Sequence, residues 1–168
     1  MPTTDAVSID WAEYNRVMDD WALVVGRFMV TFATCERWTY DYLLAFGGKA
    51  ARAKGEGLTL HQRTQQAKKL VKRIGLVDAV QTRVEASFSG LSELAAIRNI
   101  VAHNGPMPKL VRDEEGRLAV QFELRRATGN KREITREEIE AATKRAHEID
   151  DELAMLFGEI RQPHNHER

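Results

Sequence analysis

One short stretch carries residue types that could do chemistry: Arg98-Asn99-Ile100-Val101-Ala102-His103-Asn104-Gly105. Histidine titrates near neutral pH, so it can both take and give a proton. Arginine is permanently charged and offers a fork of donors that fits phosphate oxygens. The pair suits phosphodiester chemistry. Asn99 stands where it could hydrogen-bond a nucleotide or orient His103, and Asn104 adjoins as a supporting residue. A plainer reading is that Arg98 and His103 only decorate a helix C-terminus, where cations are favoured. Spacing alone does not separate the two. With 17 Arg and five His, an Arg followed by four to six residues and a His should arise about once or twice by chance. Arg161 and His166 are such a second match, but they lie in a polar tail with Pro163 that offers no rigid scaffold.

The elements around the stretch give it context. Asp10 with Glu13 is a capping-box pattern that opens a long helical segment to Phe46. Its apolar positions Trp11, Tyr14, Met18, Trp21, Val25, Phe28, Phe32, Cys35, Tyr42 and Phe46 keep helical spacing. Gly26 is a weak joint, and Gly47-Gly48 ends the segment. Lys49 to Gly57 reads as a basic connector. Thr59 with Gln62 caps a helix to Ile74, and Asp78 with Gln81 caps the next. Val80, Val84, Phe88, Leu91, Ala95 and Arg98 share one stripe of that helix, which stops at Asn104-Gly105-Pro106. An arginine on an apolar stripe needs a partner or a cavity, because an unpaired buried charge is costly. Glu36, beside the stripe of the first helix, is either the partner that would orient Arg98 or a plain solvent-facing acid.

Period-two alternation over Leu118, Val120, Phe122 and Leu124 then predicts a strand. Lys109–Arg112 pairs with it, and a third strand falls near Lys131–Ile134. Thr135 with Glu138 opens a last helix whose apolar positions Ile139, Ala142, Ala146, Ile149, Leu153, Leu156 and Ile160 suit lengthwise packing in a bundle. The fold class expected is all-α: one domain over residues 1–168, an antiparallel helical bundle with a small β-hairpin or meander inserted at about 109–134 and a frayed tail from about 162 to 168.

The chain has 168 residues, 43% apolar, with 25 basic and 25 acidic side chains. The zero net charge excludes a histone-like binder by composition. It is unevenly spread, however. Lys49–Arg73 holds eight basic residues against one acid, a local +7, while Glu137–Arg168 holds four against nine, or −5. Lys49, Arg52, Lys54, Lys68, Lys69, Lys72 and Arg73 are therefore candidate nucleic-acid contacts, or else a solvated face. A single cysteine, Cys35, excludes an internal disulfide and a multi-thiolate zinc site; it reads as a small core residue. Trp11, Trp21 and Trp38 read as core or interface anchors. His61 and His147 read as surface residues, and the tail His164 and His166 as a poor metal site. No apolar run approaches a membrane span and Met1–Asp5 is no signal peptide, so a cytoplasmic protein is expected, with no cofactor, metal or membrane partner.

Arg98-Asn99-x-x-x-His103, near the end of the third long helix, resembles the Arg-x4–6-His motif of HEPN domains. Gly26-x-Phe28-x-x-x-Phe32-Ala33-x-x-Glu36 is similar to the first core helix of many HEPN proteins, and the acid-started helix after Ile134-Thr135 also fits. The resemblance spans roughly Trp21 to Arg161; the hairpin at 109–134 is an elaboration. It implies a metal-independent, homodimeric endoribonuclease of toxin–antitoxin or abortive-infection systems, with RNA as substrate and an antitoxin as a further partner. Two copies of the motif would face each other across a two-fold axis. It also implies roles: His103 as general acid/base, Arg98 on the scissile phosphate and Asn99 as the polar residue after the arginine. The alternative expectation is a non-catalytic HEPN-like module that binds nucleic acid, nucleotide or another protein.

Overall fold

The computed structural model describes residues 11–112, 118–125 and 133–162. Asp10 with its expected cap, residues 113–117, residues 126–132 and residues 163–168, with His164 and His166, lie outside the described residues. Four helices dominate: α1 (Trp11–Glu56), α2 (Leu60–Arg73), α3 (Asp78–His103) and α4 (Arg136–Arg161). Three strands, β1 (Pro106–Arg112), β2 (Leu118–Arg125) and β3 (Glu133–Ile134), sit between α3 and α4 in an antiparallel sheet of order β1-β2-β3. The mostly helical class with a small β insertion is as expected. The insertion begins three residues earlier, at Pro106, and the expected third strand is described at Glu133–Ile134, Lys131 and Arg132 lying outside the described residues.

α1 passes through Gly26 without a break but is broken at Gly48, whose φ of 75° is left-handed. The predicted connector 49–57 is therefore corrected: residues 49–56 are helical. They fold back along α1, because Arg52 reaches Asp41 at 3.7 Å and stacks on Tyr40, while Gly55 lies against Leu43. A Cβ at Gly55 would stand 2.6 Å from the buried Leu43 Cδ1, so the close approach requires glycine.

That reversal changes the helix directions. Glu36 and Thr39 meet Arg63, and Gly47 lies against Leu70, so α2 runs parallel to α1. Cys35 Sγ donates to the Ala146 carbonyl, Trp38 Nε1 to Asp150 at 2.6 Å, and Tyr42 Oη to the Leu153 carbonyl, so α4 is parallel to α1 as well. Only α3 opposes the others: Thr64 meets Ser92, Lys68 meets Ser89, and Arg83 clamps Glu152 and Glu159. The bundle is thus not uniformly antiparallel. The fold-back at 49–56 returns the chain to the start of α2, whereas the sheet joins α3 to α4 at the end they share.

The apolar stripes meet in one core. Phe28, Phe32, Cys35 and Tyr42 of α1 pack with Val84, Phe88 and Leu91 of α3 and with Ile139, Ala146, Ile149 and Leu153 of α4. Leu124 and Ile134 bring the sheet into it, and Phe122 stacks on Tyr14 at 5.4 Å. The Cys35 thiol is pushed up to about 12, first by burial and then by Asp150. It is a core hydrogen-bond donor rather than a nucleophile.

Both capping boxes at Thr59–Gln62 and Thr135–Glu138 form reciprocally. The third does not: Val77 is the N-cap of α3 without a side-chain bond, and Gln81 bonds Glu85 instead. Thr135→Ala should therefore lower stability by about 1 kcal/mol, read as an earlier midpoint in urea unfolding. Asp78→Ala, with no cap bond to lose, should shift it by less than about 0.5 kcal/mol.

Candidate active site at the end of α3

Arg98 lies on the inward stripe of α3, as its spacing predicts, and is half-buried. Its guanidinium carbon sits 5.4 Å from the centre of the Phe32 ring. A cation over an aromatic face is attracted by the ring quadrupole, but that contact uses no N–H donor. The Arg98 Nε is buried with no hydrogen-bond partner among the described residues. Arginine offers five donors and cannot shed its charge, so leaving one enclosed and unused costs free energy that some other advantage must offset.

Glu36 does not supply the missing partner. The expected Glu36–Arg98 pair is corrected: Glu36 pairs with Arg63, which is 5% exposed. Arg63 also donates to Thr39 Oγ1 at 3.1 Å and to the Leu58 carbonyl at 2.6 Å, and it lies 4.5 Å over the Tyr40 ring. With a bond on each of its three nitrogens and its side chain buried, this arginine joins α1 to α2 and is closed off from a substrate. Sequence reasoning passed over it, although Arg63 sits on the α2 stripe between Leu60 and Ala67 just as Arg98 sits on that of α3.

His103 is the last residue of α3 and is exposed, with its imidazole engaged by no other described residue. Asn99 is exposed one turn earlier. Residues four apart share a helix face, so Asn99 and His103 point outward together, while five residues put His103 about 140° around the axis from Arg98. The structure therefore presents the motif as a buried cation flanked by an exposed Asn–His face. Asn104 has a structural task, since its Nδ2 donates to the Ile100 carbonyl at 2.7 Å and fixes the helix end.

The basic residues do not form one surface. Lys54, Lys69 and Arg73 line a shallow groove between the 49–56 segment and α2, with His61, Gln62, Gln65 and Gln66. Lys68 turns inward to Ser89 Oγ at 2.8 Å, and Arg52 is held by Asp41 and Tyr40. Lys49 and Lys72 are exposed but line no part of the groove. No α3 residue lines it either, so groove and motif are separate features of one chain. Of the expected surface histidines, His61 and His147 are exposed, and His147 Nε2 stands 3.4 Å from Thr31 Oγ1. Trp21 and Trp38 join the core or its edge, whereas Trp11 is exposed. Among the described residues no three His, Cys, Asp or Glu side chains gather as a metal site would require, and no helix is long and apolar enough to cross a membrane.

No protein-family model matches the chain, and no curated protein or solved structure is significantly similar to it.

Proposed function

We propose that the chain is a HEPN-type RNA endonuclease that works without a metal. The observation that supports this most is the orphan Nε of Arg98, enclosed at the helix end that carries Asn99 and His103. A fixed cation with unused donors is the electrostatic part of a phosphoryl-transfer site, prepared in advance of substrate. His103 takes the proton of the ribose 2′-hydroxyl, and the 2′-oxygen attacks the adjacent phosphorus. Arg98 neutralises the charge that gathers on the non-bridging oxygens. The bond to the 5′-oxygen breaks, that oxygen takes a proton, and a 2′,3′-cyclic phosphate remains. One histidine per chain supplies one proton-transfer group, so a second copy bringing its own His103 to the scissile bond completes the set.

The direct experiment incubates the purified chain with single-stranded and hairpin RNA in EDTA and identifies the new ends. Fragments ending in 2′,3′-cyclic phosphate, with DNA of the same sequence untouched for want of the 2′-hydroxyl, are the expected result. RNA left intact at all tested salt concentrations overturns the reading.

The basic groove supplies the approach for RNA in this reading. Neutralising Lys54, Lys69 and Arg73 together by glutamine should weaken RNA binding and flatten its dependence on log salt by about 2, near 0.7 for each phosphate no longer neutralised. Fluorescence anisotropy against KCl concentration measures this. The same change at Lys68 and Arg52, already engaged by Ser89 and by Asp41, should have a smaller effect.

A further inference from the structure

α1 carries a second seam that the described residues do not cover. Asp19, Leu23, Gly26, Val30, Ala33 and Arg37 follow one another at alternating spacings of four and three, and all are exposed. Val30 is 70% exposed, more than any other large apolar side chain described, and Leu23 is 52% exposed. A period of 3.5 is the signature of a helix that packs lengthwise on another helix. The core-facing stripe with Phe28, Phe32 and Cys35 already anchors α1, so this outer stripe is surplus to the fold.

We propose that this face pairs with the same face of a second copy, antiparallel, about a two-fold axis level with residue 28. Size and charge both select that arrangement. Antiparallel pairing sets Leu23 against the second copy's Ala33, Val30 against its Gly26, and Asp19 against its Arg37, each contact occurring twice. Large side chains meet small ones, and opposite charges meet at both ends. A parallel pair would oppose Gly26 to Gly26, leaving a void, and Arg37 to Arg37, with like charges in contact. A Cβ at Gly26 would meet nothing within 4 Å in the isolated chain, so the recess there is open to receive Val30. Thr143 and His147 of α4 form the side wall of the same apolar trough. The exposed Arg37–Asp41 pair at 3.3 Å is easily shared, because such pairs contribute little.

This surface lies on the far side of α1 from Phe32, on which Arg98 rests, so the pairing does not depend on the nuclease reading and leaves the Asn99–His103 face free for the separate contact, made on RNA, that would bring two His103 to one scissile bond.

Sedimentation velocity of the full chain from about 1 to 100 µM tests it. Wild type should show a dimer. Val30→Lys should weaken it by at least about 100-fold. Gly26→Leu should abolish it by filling the recess, while the monomer melts no earlier, since leucine is a better helix former than glycine. Asp19→Arg and Arg37→Asp should each weaken association by about tenfold, and the double variant should restore it. A wild type monomeric throughout, a dimer indifferent to Val30→Lys and Gly26→Leu, or a double reversal without rescue each overturns the proposal; the first would assign the seam to a foreign helix.

Discussion

His103→Ala should slow RNA cleavage by about 10²–10⁴, the range lost with a positioned acid/base, while RNA affinity and melting temperature hold. His103 is exposed and makes no hydrogen bond or ion pair with a described residue, so its removal opens no buried cavity. Equal cleavage rates in wild type and variant would remove His103 from the reaction. The companion change, Arg98→Met, separates function from stability more sharply. It should abolish cleavage, yet thermal unfolding should come no earlier, because the buried donor without a partner is gone and the apolar stem still packs on Phe32. A site that holds an unsatisfied group for catalysis gains stability when that group is removed. A large drop in melting temperature would instead make Arg98 a structural residue.

The second large effect concerns the other stripe arginine. Arg63→Ala should destabilise the fold by about 2–4 kcal/mol, leaving Glu36 with no partner and Thr39 and the Leu58 carbonyl without their donor. For a chain of this size that is a fall of roughly 5–15 °C in melting temperature. Glu36→Gln should cost less, since that carboxylate is partly open to water. A double-mutant cycle between the two measures the coupling. Glu36→Gln should also leave the cleavage rate of the folded protein unchanged, as Glu36 touches Arg63 and not Arg98. A loss of under about 0.5 kcal/mol for Arg63→Ala would show the pair to be ornamental.

These two arginines show what could be read from the chain alone. Both interrupt an apolar stripe, which is a local and visible signal. Whether such a residue is paired depends on what faces it from another helix, and Glu36 lies 27 residues from Arg63 in sequence. Periodicity alone therefore assigned Glu36 to the wrong partner. Features settled within one turn were legible: the boxes at Thr59 and Thr135, the stripe of α4 and the stop at Asn104. Helix direction was not, because it turns on Gly48. Gly47-Gly48 reads as a stop, and so it is, but Ala50, Ala51 and Ala53 resume a helix at once in the opposite sense. The alternation that predicted β2 was clear.

The partnership of α1 with α4 bears on how the molecule is made. Cys35, Trp38 and Tyr42 donate to acceptors 111 or 112 residues downstream. A ribosome therefore releases α1 long before its main packing surface exists. Until α4 emerges, the faces of Phe28, Phe32 and Tyr42 destined for it stay open to water or to neighbouring chains. Pairings so distant in sequence also slow the final docking step relative to the local pairing of α2 with α3. Synthesis halted before α4 would thus yield a sticky fragment, and expression yield should depend more on the apolar stripe of α4 than its distance from the chemistry suggests.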